Sequence, residues 1–252
     1  MVLWTPKHIQ TLLPALGIMI LVAVALRIWL GKKELNKRII PLQIIAVILV
    51  LLEIGKQWDS FAGGYDLYHI PLHYCSLVLI TLPLMAFYRG KYAATIREIA
   101  CGVCAAVTLL TVIYPDLIYS AGNIEAYFRD YQSFHTVTFH NLAILAGFLT
   151  VALNFREEGK AAHGSLALFI LVFCVFSATG AQLLETNYNN FYTCNIAPLE
   201  QLRQAVEAVV GSLAAKIFYV VIVTAVDIAF TLGAYSLYRF LTKIAARQKA
   251  TV

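Results

Sequence analysis

Seven stretches of the chain are continuously apolar, each closed by charge, proline or a polar cluster: residues 10–30, 39–57, 71–88, 96–114, 134–155, 165–185 and 213–240. Runs near 20 apolar residues have the length of membrane-crossing helices. Lipid-facing barrel strands would alternate instead. The pattern predicts an all-α fold, a polytopic bundle of about seven transmembrane helices forming a single domain over 1–252. The third run is short enough to be partly re-entrant. Three connections on one side are longer and more polar, 58–70, 115–133 and 186–212. The last contains Pro198-Leu199-Glu200-Gln201-Leu202, which reads as the start of a short surface helix.

Composition agrees: 60% of the 252 residues are hydrophobic and 13% charged, with mean hydropathy +0.75, against about 25% charged in a soluble domain. Charge sets the orientation. With the amino terminus outside, Arg27, Lys32, Lys33, Lys37, Arg38, Arg89, Lys91, Arg97, Arg156, Lys160, Arg239, Lys243, Arg247 and Lys249 fall on the cytoplasmic side. Only Lys7, Lys56, Arg129, Arg203 and Lys216 fall on the other. Basic residues accumulate inside, so the carboxyl terminus is expected in the cytoplasm and the protein in the cell membrane. The net charge of +5 is therefore topology, and nucleic-acid binding has no support. The first run lacks the preceding basic segment of a cleaved signal and reads as a retained helix. The five cysteines are scattered rather than framed for disulfides, and Cys101 and Cys104 read as small packing residues on a helix.

Ionisable groups inside such runs are costly and usually functional. Cys75, His140, Glu53 and Glu185 each fall in the outer part of a different run, at one expected depth. With Pro71 as the first helical residue, Cys75 would lie in the opening turns, where the helix dipole favours thiolate. His73, two residues earlier, would face elsewhere, leaving His140 as the candidate base. His69 and His135 read as solvated interfacial residues. Each group also has a plain reading: a buried cysteine packs as a small hydrophobe, Glu53 pairs with Lys56 or Gln57, and Glu185 caps a loop. A metal site on His69 and His73 with His135, His140 or Glu185 would need a helix across 69–73, which Pro71 disfavours. No metal and no cofactor are expected. Asp227 lies mid-run, where three readings stand open: a protonated carboxyl, a carboxylate bonded to a hydroxyl such as that of Thr179 or Tyr219, or a member of a proton or ion path.

Pro71-Leu72-His73-Tyr74-Cys75-Ser76-Leu77, Phe134-His135 leading to His140-Asn141, and Glu185-Thr186-Asn187-Tyr188 are similar to the YwaF-like bacterial integral membrane proteins. That family in turn resembles the transmembrane protein 164 family of ether-phospholipid acyltransferases. More distantly it resembles membrane hydrolases that use a threonine and a histidine. The likeness runs from the second apolar stretch to the seventh, while the loop after Tyr188 is more polar here, with Asn189, Asn190, Cys194 and Asn195. The resemblance implies Cys75 as nucleophile and His140 as base, with Asn141, Asn187 and Tyr188 helping to line the pocket.

The expected function is acyl transfer or lipid hydrolysis through a thioester, with membrane phospholipid or lysophospholipid as partner. The site would face the extracytoplasmic half of the bilayer. His73, Asn141, Asn187, Tyr188, Glu185 and Glu53 are candidate pocket and oxyanion residues, and Lys216 or Arg203 candidate phosphate contacts. The alternative is a small transporter, channel or sensor whose path is lined by Asp227, Glu53 and Glu185.

Overall fold

The computed structural model describes residues 4–157, 161–194 and 197–247; Lys160, Asn195 and Lys249, named above, lie outside them. Among the described residues the structure is all helical. Six helices are long and apolar enough to cross a membrane. In chain order the α-helices are α1 (Pro6–Leu30), the short α2 (Leu35–Arg38), α3 (Ile40–Ala62), α4 (Leu77–Phe87), α5 (Ala93–Ile113), the short α6 (Ala121–Ala126), α7 (Tyr131–Ala152), α8 (His163–Leu183), α9 (Ala197–Val210) and α10 (Ser212–Arg247). Each long apolar run overlaps one of the long helices, with ends that differ by up to seven residues, as where α10 continues to Arg247, and α9 is the helix expected at Pro198. At α1 the start is earlier than the apolar run because Thr5 and His8 form a reciprocal cap ahead of Pro6.

The third crossing is different. Its α-helix begins at Leu77, preceded by a 3₁₀ turn over Tyr74–Ser76, and Pro71 is not helical. Together these make a 14-residue apolar helix, Tyr74–Phe87, about 21 Å long at 1.5 Å per residue. A hydrocarbon layer of about 30 Å needs more. Ile70, preceding proline, is extended (φ −60°, ψ 132°). Non-helical backbone at this depth needs protein partners. The Ser177 hydroxyl of α8 donates to Leu72 O (2.7 Å), and the Leu72 N–H donates to Ile70 O (2.7 Å).

α5 is the central helix, packed against α4, α7 and α10. Its small residues permit this. Ala100, Cys101, Cys104 and Ala106 are fully buried, and Gly147 of α7 meets α5 so closely that a Cβ there would come within 3.1 Å of Cys104 O. Cys101 and Cys104 are therefore helix-packing residues in this fold. α3 lies against both α4 and α7, α1 against α7, and α8 against α10.

One end of the bundle is tied by arginine. Arg27 donates to the carbonyls of Ala152 and Ala245, and Arg38 to those of Leu153 and Asn154. Glu98, wholly buried on α5, accepts from Tyr235 Oη, Arg239 (3.0 Å) and the Glu157 N–H (2.5 Å). Glu157 in turn pairs with Arg97 (2.5 Å). This network joins α5, α10 and the segment before α8.

Candidate functional site

At the opposite end, α3, the 67–76 segment and α7 bring together Glu53, Lys56, His69, His73, Cys75, His135 and His140. On α3, Glu53 and Lys56 are one helical turn apart and form an ion pair of 2.8 Å, their side chains only 13% and 12% exposed. Gln57 donates to both Glu53 (2.7 Å) and His69 O (2.7 Å), fastening the loop after α3 onto the helix. Glu53 thus has both partners that its spacing suggested. From α7, Gln132 reaches Asp59 (2.7 Å), and Tyr131 packs over Gly55, where any Cβ would collide with the phenol. These contacts fix the register of α3 against α7. His135 is buried rather than solvated: its Nε2 lies 3.3 Å from Glu53 Oε2, off the line of a hydrogen bond, and its ring stacks on Phe139. His69 is held by Ser60 (2.8 Å).

His140 Nδ1 lies 2.6 Å from Thr136 O. A carbonyl can only accept, so Nδ1 carries the hydrogen and, in the neutral ring, Nε2 carries the lone pair. The preceding turn of α7 thereby sets the tautomer of a base. The same argument makes His73 a strut: its Nε2–H donates to Tyr68 O (2.9 Å), and its ring packs between Tyr68 and Tyr188. Cys75 sits in the 3₁₀ turn before α4, half-buried. The first N–H groups of a helix have no intrahelical acceptor, and Cys75 lies in the turn just before α4, which starts later than Pro71. Lys56 is within electrostatic reach of both Cys75 and His140, and His73 of His140. No hydrogen bond joins Cys75 to His140.

Other expected residues lie apart from this cluster. Glu185 is exposed at positive φ (49°), the left-handed residue that closes α8, with the Thr186 N–H returning to Ala181 O. Its capping role is thus the observed one. Asn141 accepts from Tyr119, on the α6 side of α7. Asn187 accepts from the N–H groups of Tyr192 and Thr193 and folds its own loop. Tyr188 is fully buried, its hydroxyl donating to Leu67 O. It therefore clamps the 67–76 segment instead of pointing into an open pocket. Among the described residues, no group of three His, Cys, Asp or Glu side chains is gathered as a metal site would require.

A second feature was not legible beforehand. A cavity of about 720 Å³ lies among α5, α9, α10 and the 189–194 loop. Its walls include Tyr74, Asn189, Arg203, Tyr219 and Asp227, but neither Cys75, His140, Glu53 nor Glu185. Of the three carboxylates expected on a transport path, it therefore takes in Asp227 alone. Asp227 is not bonded to Thr179 or Tyr219. Its Oδ2 accepts from Asn189 (2.6 Å) and Cys174 (3.6 Å), while Tyr219 donates to Asn190 O (2.7 Å). Arg203 is closed by two carboxylates of α9, bidentate to Glu200 and single to Glu207 (3.0 Å). Its hydrogen bonds hold Glu200 at about 2, below the ordinary 4.5, and raise its own pKa. A phosphate would have to displace them. Lys216 is exposed on α10.

Sequence comparison completes the picture. No curated protein matches the chain, and no solved structure does. A model of the TMEM164 family matches residues 3–238, nearly the whole length. The chain is a multi-pass membrane protein and belongs to the TMEM164 family.

Proposed function

We propose that the protein is a membrane-embedded acyltransferase, or lipid hydrolase where water is the acceptor, with Cys75 as nucleophile and His140 as base. The observation that carries this reading is the His140 ring, whose Nδ1–H is committed to Thr136 O so that Nε2 is left as the basic nitrogen. The thiol it would serve stands in the turn at the head of α4, at the same end of the bundle.

His140 Nε2 takes the Cys75 proton, and the thiolate attacks an ester carbonyl of a phospholipid. The oxyanion is met by the Tyr74 and Cys75 N–H groups, which precede the first helical turn. Collapse breaks the ester C–O bond, and the imidazolium returns its proton to the departing lysolipid alkoxide. In the second half His140 deprotonates an acceptor hydroxyl or water. The new oxygen attacks the thioester, and the sulfur leaves and regains the proton. Sγ and Nε2 must close on each other or be bridged by a water, which is common before substrate binds. With the arginine-tied end cytoplasmic, the site faces the extracytoplasmic half of the bilayer. Asn141, Asn187 and Tyr188 act as scaffold in this mechanism.

The test uses a lipid-like, thiol-reactive ester probe on purified protein. Cys75→Ala should abolish labelling and leave the thermal transition unchanged. Labelling that persists in folded Cys75→Ala protein would remove the nucleophile.

A further inference from the structure

The cavity among α5, α9 and α10 has a polar inner side and an apolar rim. Leu202 of α9 and Phe218, Ile222 and Val226 of α10 line it and are largely exposed, with Val226 60% accessible. On a membrane-spanning helix such side chains face hydrocarbon, so the cavity opens sideways into the bilayer. Its volume lies within the range of about 300–1,000 Å³ typical of small-molecule sites.

The charges on its walls select a head group. Arg203 is already neutralised by Glu200 and Glu207. Asp227 is not matched by a cation: both of its side-chain bonds end on Oδ2, from the amide of Asn189 and the thiol of Cys174, and Oδ1 accepts none among the described residues. Among the described residues the cavity thus offers a spare carboxylate acceptor and no free cation for an anion. We propose that it binds an uncharged, hydroxyl-bearing lipid from the bilayer, the hydroxyl donating to Asp227 Oδ1 and the chain lying along Leu110, Val223 and Phe230. Tyr74 closes the inner wall, its hydroxyl 2.5 Å from Thr231 Oγ1. This site is distinct from the Cys75 cluster, and its occupancy does not depend on acyl transfer.

Purified protein in lipid nanodiscs is photolabelled with a diazirine-bearing monoacylglycerol, and separately with the matching fatty acid. Label from the first probe is expected to concentrate on peptides from 202–230 and to be displaced by unlabelled monoacylglycerol. Displacement by fatty acid should be about 10-fold weaker, because its carboxylate meets that of Asp227. Asp227→Asn should weaken labelling about 10-fold through loss of a charge-assisted bond. Val223→Phe should abolish it by filling the space, and Cys75→Ala should leave it unchanged. Label spread evenly over all lipid-facing helices, or a preference for the fatty acid, would overturn the proposal. Should either cavity variant fail to fold, the wild-type competition still decides. Loss of labelling in Cys75→Ala would show that the two sites are one.

Discussion

Two carboxylates inside this bundle are held in opposite ways. Glu98, at the arginine-tied end, has a cation, a phenol and a backbone N–H, and no open side. Asp227 has, among the described residues, only neutral donors, both on one oxygen, and borders a cavity. Burying a charge is costly unless it is paired and fully hydrogen-bonded. A closed site such as Glu98 therefore serves the fold, whereas an open one retains capacity for something else. The same contrast separates the two ends. One is stapled by arginines to helix-end carbonyls, and the other holds the cysteine, four histidines and loops that fold back over α3.

The sharpest way to break this comparison is to remove the Glu98 cation. Arg239→Leu should cost about 3–5 kcal/mol, since it strands a buried carboxylate, and is read as a lower thermal transition in detergent. Asp227→Asn should cost about 1 kcal/mol or less, because its partners are uncharged. Equal losses in the two variants would show that both carboxylates are structural.

At the other end, His140→Gln should slow reaction of the ester probe with Cys75 by about 10²–10⁴-fold, the usual worth of a general base. The thermal transition should hardly move. A variant that reacts at the wild-type rate would remove the histidine from the mechanism.

The smallest effect concerns α9. Glu200 is held at about 2 by Arg203, so its contribution is present above the ordinary carboxylate value of 4.5 and lost as pH falls through 2. Partly exposed pairs are worth little. The expected result is a modest loosening of 197–210 between pH 4.5 and 2, seen by hydrogen exchange and absent in Glu200→Gln. Loosening on the alkaline side instead would contradict this sign.

Much of this architecture is readable from residue order, because apolar runs between charges have few other solutions in a bilayer. The Glu53–Lys56 pair was readable for a similar reason, being local to one helix turn. The start of the third crossing was not: Pro71 suits a first helical position, but the Ser177 bond to Leu72 O holds the chain extended past it. Asn141 and Tyr188 look like pocket residues in sequence, yet their partners, Tyr119 and Leu67, come from distant segments. Glu98 carries no local signal of its role, because its cation is on α10, 141 positions away. The cavity arises from three separated helices and leaves no local trace.

The shortness of the helix beginning at Tyr74 has a consequence for access. A crossing of about 21 Å leaves roughly 9 Å of a 30 Å hydrocarbon layer to be spanned by something else. Here that span is filled by the turn from Ile70 to His73, fastened to α8 by Ser177. The residues that set the approach to Cys75 are thus those of a short, sequence-defined turn and its Ser177 anchor, and substitution there is expected to change the reactivity of the thiol without touching α4 itself.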